Sequence, residues 1–194
     1  MANKWTRKNK IHKNKTRSKR VNMNINMVYE KNAFTQDTFD KIVSICDLIS
    51  EKKMINDDKA SDRLMYIFDK KDPIYKLVYN TAFINKVRSI TGNPKLKPCS
   101  EVPIEYRKYV KGSHMDWHRD TQMLPDQLQY ECVITLSNTS DSKTLFKKKN
   151  RIEEISSEPN SIIVVRAQGI AHKVTKTHKG ERTILKIVFK EKKC

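Results

Sequence analysis

Residues 112–120 read GSHMDWHRD. Two His-x-Asp pairs lie in this stretch: His114 with Asp116, and His118 with Asp120. An imidazole and a carboxylate are both good ligands for a divalent metal. On an extended strand, residues i and i+2 point to the same face, so either pair can present two ligands to one ion. The two pairs share one parity, and alternation alone does not choose between them.

A third ligand has to come from elsewhere. The remaining histidines are His12, His172 and His178. His12 sits in a basic N-terminal run. His172 follows the apolar segment SIIVVRAQ (161–168) and opens another, HKV. His178 lies in THKGER, which reads as a turn. Two histidines and one carboxylate on neighbouring strands form a facial triad with open coordination positions, the arrangement that suits non-haem iron(II). Zinc with an open position that activates water is the chemical competitor.

Around this stretch the chain reads as β. The segments EVPIEYRKYV (101–110), YECVITLSN (130–138), KTLFKKK (143–149), NSIIVVRAQ (160–168), AHKVTKT (171–177) and RTILKIVFKE (182–191) are short and rich in Val, Ile, Thr and Tyr. Two helical patterns precede them. Residues 35–53 carry Phe39, Ile42, Val43, Cys46, Leu48 and Ile49 at helical spacing, with Thr35, Thr38 and Asp40 offering N-terminal capping. Residues 72–91 form the second, with Pro73 in the first turn and Gly92 and Pro94 as the stop. SDRLMYIFD (61–69), between them, has strand or loop character. Helices followed by strands predict an α+β protein whose C-terminal half is a sandwich or barrel.

The chain has 194 residues, 37% of them hydrophobic and gathered in runs, with a formal net charge of +18. Residues 1–20 hold nine Lys/Arg and no acid; the first acidic residue is Glu30. Such a run cannot bury enough apolar surface to fold alone. We expect a disordered arm over 1–25 and a single domain over 26–194, with helical support at 35–92 and a β-core at 101–191. The arm is a candidate site for nucleic-acid phosphates through residues 1–20, with Trp5 able to stack on a base; a solvating role competes. Cys46, Cys99, Cys132 and Cys194 are widely spaced without CxxC, which argues against a disulfide framework or zinc knuckle and for a reducing compartment. Cys46 and Cys132 read as core thiols. No apolar run approaches the ~20 residues of a membrane span, and no secretory signal is legible. The expected location is intracellular, cytoplasmic or nuclear.

The C-terminal half resembles the iron(II)/2-oxoglutarate-dependent dioxygenases of the prolyl 4-hydroxylase type. Tyr109-Val110-Lys111-Gly112 leads into Trp117-His118-Arg119-Asp120. His172-Lys173-Val174 follows, and then Gly180-Glu181-Arg182, with Arg182 ten residues beyond His172. The resemblance implies a double-stranded β-helix (jelly-roll) core and picks His118, Asp120 and His172 as iron ligands. Arg182 would bind the distal carboxylate of 2-oxoglutarate, Tyr109 would line that pocket, and Thr135 falls where many relatives place an assisting Tyr. It also implies dioxygen, with ascorbate as a further cofactor, and a protein or peptide substrate, prolyl above all. 2-Oxoglutarate would be converted to succinate and carbon dioxide as the substrate is hydroxylated.

Arg182 opens an apolar strand, so it can sit inside the barrel, and a guanidinium binds a carboxylate in a bidentate fork. Trp117, Arg119 and His114 neighbour the ligands and are candidate substrate-pocket residues. By alternation Trp117 and Arg119 turn to the other strand face, where packing and solvent compete as their role. Met123, Leu124 and Leu128 are candidates for a lid or for core. Two family glycine positions depart from the pattern, with Asp141-Ser142 at one and Asn160 after Pro159 at the other.

Other functions fit less well. His-Arg-Asp also opens a kinase catalytic loop, but the required Asn position is Pro125 and no Gly-rich loop occurs. A nucleic-acid-directed oxygenase would carry a second Arg six residues after Arg182, where Val188 stands. A non-enzymatic basic nucleic-acid-binding module leaves the complete set of ligand-type residues unexplained.

Overall fold

The structure is a computed structural model and describes residues 26–191. The expected basic arm, with Trp5, His12 and its nucleic-acid role, lies outside the described residues, as does Cys194. Along the chain run β1 (Met27–Glu30), α1 (Gln36–Asp47), β2 (Ile55–Asn56), β3 (Ser61–Ile67), α2 (Ile74–Val78), α3 (Thr81–Thr91) and β4 (Leu96–Pro98). Then come β5 (Glu105–His118), β6 (Gln129–Asn138), β7 (Thr144–Lys148), β8 (Arg151–Ile155), β9 (Ser161–Arg166), β10 (His172–Val174) and β11 (Arg182–Glu191).

The strands follow the order β1-β9-β6-β11-β5-β10-β7-β8, and β3 extends the first half of β5. Glu105–Tyr109 of β5 pairs with β11, and its far end, Met115–His118, pairs with β10. One long strand thus belongs to a major sheet and a minor sheet, and the two curl around a shared interior. This is the expected α+β double-stranded β-helix with helices at its back.

The two faces of the major sheet differ in chemistry. On β11, Leu185, Ile187 and Phe189 join the main core with Phe39, Ile42 and Cys46 of α1 and Phe83 and Val87 of α3. The alternate residues Arg182, Ile184 and Lys186 face the interior between the sheets, where they line cavities. Period-two alternation therefore separates an oily helix-facing side from a charged inner side. The expected core thiols Cys46 and Cys132 are buried, as is Cys99, and all three are free. Among the described residues no helix is long and apolar enough to cross a membrane.

Several sequence expectations are corrected. The helix expected over 35–53 ends at Asp47 and is followed by a separate 3-10 turn at Glu51–Lys53. Leu48, expected on its apolar face, lies just past the helix and is 84% exposed. Thr35 is the N-cap by position, but its hydroxyl bonds Thr38 Oγ1 (3.0 Å) and caps no backbone N–H. The helix expected over 72–91 is broken between α2 and α3. Asn80 causes the break: its Oδ1 accepts from Phe83 N (2.9 Å) and its Nδ2 donates to Leu77 O (2.7 Å), so it starts a new helix. Strands β1 and β8 were not legible, because RIEEI is mostly polar and MVYE is short.

Two backbone positions bind the fold together. Gly180 has φ +68°, and a Cβ there would lie 2.2 Å from Thr139 O, so the turn that delivers Arg182 admits no side chain. Asn160 has φ +58°. Asparagine tolerates this left-handed conformation better than most residues. Its amide also clasps the N-terminal segment, accepting from Phe34 N (3.0 Å) and donating to Phe34 O (3.1 Å). Asn160→Gly should cost only the clasp, whereas Asn160→Ala should add left-handed strain, for a total of roughly 2–4 kcal/mol. Urea-unfolding midpoints check this; equal losses for the two variants would mean that the backbone conformation contributes nothing.

Candidate active site

His118 ends β5 and His172 begins β10, and the two are paired across the minor sheet. Their ring centroids are 4.2 Å apart. Asp120 lies just past β5, where its carbonyl accepts from Gln168 N (2.9 Å). Asp120 Oδ1 is 3.7 Å from His118 Nε2 and 3.5 Å from His172 Nε2. All three ligand-type atoms fall within 4.8 Å of one another.

The strand alternation assumed for the two His-x-Asp pairs does not hold. Asp120 is outside the strand, and β5 carries a bulge against β10: three steps from Met115 to His118 oppose two from Val174 to His172. Met115 and His118, an odd number apart, therefore line the same cavity. The upstream pair is turned elsewhere. His114 Nδ1 is 3.1 Å from Gly112 O and its Nε2 3.4 Å from Ser61 Oγ, and Asp116 is exposed.

The hydrogen bonds of the trio suit a cation. His118 Nδ1 is 2.7 Å from Asp116 O, and His172 Nδ1 is 3.2 Å from Ile170 O. A carbonyl only accepts, so each Nδ1 carries the proton and each Nε2 is left with a lone pair. Asp120 Oδ2 is buried without any hydrogen-bond partner. Burial lowers the pKa of His172, with Asp120 opposing. For His118 burial also pulls down, but the Asp120 carboxylate and the Asp116 carbonyl outweigh it and the net shift is upward. An orphaned buried carboxylate oxygen and two converging imidazole lone pairs fit a divalent metal.

The trio opens onto a narrow cavity of about 40 Å³ between the sheets. At another part of its wall is Arg182, 2% exposed. Its Nη1 donates to Thr144 Oγ1 (3.1 Å), its Nε is buried without a partner, and its guanidinium lies 5.7 Å from the centre of the Tyr109 ring. Among the described residues no carboxylate is within ion-pair distance of it. Burial pulls its pKa down, against the pull of Tyr109. Phe146, Ile163, Val165 and Ile184 supply apolar walls.

The other expected site residues fall out as follows. Tyr109 is buried and lines the cavity, its hydroxyl accepting from Arg63 Nη1 (2.5 Å). Thr135 does not line it; its Oγ1 is buried without a partner, and the hydroxyl beside Arg182 is that of Thr144, from the minor sheet. Trp117 lies under Lys147 and Lys173, whose Nζ atoms are 4.6 and 5.4 Å from its ring centre. Neither Trp117 nor His114 lines the cavities around the trio, whereas Arg119 lines an open cleft beside it. Met123 lines that cleft too, Leu124 packs on Cys99, Val102 and Val188, and Leu128 packs on the main core.

Sequence reading missed Arg63, Asp57, Arg107, Glu105, Glu131 and Lys186. Arg63 bonds Asp57 Oδ2 through Nε (2.9 Å) and Nη2 (2.6 Å). Arg107 joins Asp57 (3.4 Å) to Glu105 (2.5 Å), and Lys186 joins Glu105 (3.2 Å) to Glu131 (3.7 Å). Burial raises the pKa of Glu131, and nearby Asp120 adds to it.

The chain has the fold of solved 2-oxoglutarate–iron(II) oxygenases. An oxidoreductase of the 2OG-Fe(II) oxygenase family from Burkholderia pseudomallei superimposes with a TM-score of 0.70 at 15% identity, covering 84% of this chain and 85% of that one. A Pseudomonas putida prolyl-4-hydroxylase gives 0.68 at 11% identity, covering 87% and 94%. A Trichoplax adhaerens prolyl hydroxylase, solved with a hypoxia inducible factor peptide fragment, gives 0.67 at 9%, covering 86% and 83%. By sequence, no family model and no curated protein matches the chain.

Replacing His118, Asp120 or His172 by Ala should each weaken Mn(II) or Fe(II) binding by about 100-fold or more, beyond what the loss of an outer hydrogen bond does. His114→Ala should bind metal as the parent does. Calorimetric metal titration decides; loss of binding in His114→Ala with retention in His118→Ala would assign the metal to the wrong pair.

Proposed function

We propose that the chain is an Fe(II)- and 2-oxoglutarate-dependent dioxygenase that hydroxylates a protein side chain, with prolyl as the favoured target. One observation carries this: a buried guanidinium without an anion shares a cavity with a His-Asp-His trio. A buried cation calls for a counter-charge. A small dicarboxylate answers both ends, one carboxylate on Arg182 and the other beside the metal. Two of the structural neighbours described above are prolyl hydroxylases, one of them with a peptide, which supports the substrate class.

On this proposal His118 Nε2, His172 Nε2 and Asp120 hold the iron, and the Asp116 and Ile170 carbonyls fix the ring tautomers. Thr144 orients Arg182 through Nη1, leaving the Nε–Nη2 edge for a carboxylate in bidentate fashion. Tyr109 packs on that guanidinium and lines the same space. Phe146, Ile163, Val165 and Ile184 exclude water around the ligand's methylenes, which strengthens the buried ion pair. Iron(II), with 2-oxoglutarate and dioxygen as cosubstrates, would supply the oxidative decarboxylation to succinate and carbon dioxide, one oxygen atom going to succinate and the other to the hydroxyl of the substrate.

The test is succinate formation from 2-oxoglutarate with Fe(II) under air, for the parent and for His118→Ala, with panels of prolyl peptides and oligonucleotides. We expect turnover in the parent, none above background in His118→Ala, and stimulation by peptide. No 2-oxoglutarate binding and no succinate in the parent would refute the proposal; stimulation by oligonucleotide alone would move the substrate to nucleic acid.

A further inference from the structure

Beside the trio, and sharing His118, Asp120 and Glu131 with the cavity that holds Arg182, lies a second and more open cleft of about 340 Å³. Its charges are uneven. The buried groups at its back form a closed account: Arg63, Arg107 and Lys186 against Asp57, Glu105 and Glu131, linked by contacts of 2.5 to 3.7 Å. Three cations and three carboxylates cancel. Asp120 is a proposed metal ligand, so its charge is committed to the ion. What remains is Lys59 and Arg119 on the cleft wall, both exposed and neither with an acidic partner among the described residues. The rest of the lining is Met115, Thr121 and Met123. Methionines adapt to varied apolar side chains.

We infer that this cleft is where the substrate lies, and that Lys59 and Arg119 select a peptide carrying acidic residues next to the one presented to the trio. The inference rests on the function proposed above and names the substrate class of that site. Opposite charge across the cleft favours carboxylates over lysines in a partner. The lining favours a peptide over single-stranded nucleic acid, because it holds no Phe, Tyr or Trp and its one ring, His118, is a proposed metal ligand, so a base would find no free ring to stack on. The overall excess of positive charge, +18, attracts any polyanion; the cleft adds a local and separable preference.

The experiment uses the full chain and fluorescence anisotropy with labelled proline-centred peptides, identical except that the flanking residues are Asp, Gln or Lys. The Asp peptide should bind about tenfold more tightly than the Gln peptide, as two partly exposed charge pairs allow, and the Lys peptide most weakly. Lys59→Glu/Arg119→Glu should abolish or reverse this order, and Lys59→Ala, outside the ligand segment, should remove part of it. Lys70→Glu/Lys71→Glu makes the same change in net charge on exposed residues outside the cleft and should keep the order. An unchanged Asp preference in Lys59→Glu/Arg119→Glu overturns the inference, as does an equal loss in the Lys70/Lys71 control. So does a single-stranded oligonucleotide whose affinity falls more than the Asp peptide's when Lys59 and Arg119 are reversed. Anisotropy needs no turnover, so the two proposals fail separately. A charge preference mapped to Lys59 and Arg119 without succinate formation sinks only the dioxygenase; succinate formation without that preference sinks only the acidic-peptide inference.

Discussion

The interior of this β-helix is organised by a guanidinium with no anion. Arg182 is 2% exposed, and its resident contacts are one hydroxyl and one aromatic face. An unpaired buried charge costs roughly 3–5 kcal/mol, which neutral contacts offset only in part. The fold holds this strain by building around it. Gly180 allows the tight turn into β11, Thr144 reaches across from the minor sheet, and Tyr109 is held from behind by Arg63, itself locked by Asp57. A cation kept in place at that cost makes sense if an anionic ligand completes it.

The same inner face holds six further charges that do cancel, linking β3, β5, β6 and β11 from inside. Removing one partner would strand its neighbour in a low-dielectric interior, so the network acts as a unit. The contrast is informative. Where charge serves only to hold strands together it is balanced; where it is unbalanced, at Arg182 and at the Lys59–Arg119 rim, a ligand is the natural partner.

Much of the site was legible because its signals are local. His118, Asp120, His172 and Arg182 were picked out by the resemblance to the dioxygenase pattern, and the structure brings them to one cavity. Strands β6, β9 and β11 stood out from apolar runs, and Asn160 stood out as a departure that the left-handed backbone then explained. The missed features depend on distant partners. Lys186 reads as a surface residue of an alternating strand until Glu105, far away in sequence, is placed beside it. Thr144 matters only because the minor sheet folds over Arg182. His114 shares the parity of His118 on strict alternation, and a bulge that no local residue announces turned it away. Long-range pairing and register shifts are tertiary facts, and a one-residue shift reverses every facing side chain.

The most direct test of the central claim is calorimetric titration of 2-oxoglutarate into the full chain saturated with Mn(II), for the parent and for Arg182→Gln. If Arg182 awaits a carboxylate, the parent binds and Arg182→Gln binds at least about 100-fold more weakly, as expected when a buried, hydrogen-bonded charge pair loses one member. Equal affinity in the two proteins, or no binding by the parent, would contradict the account.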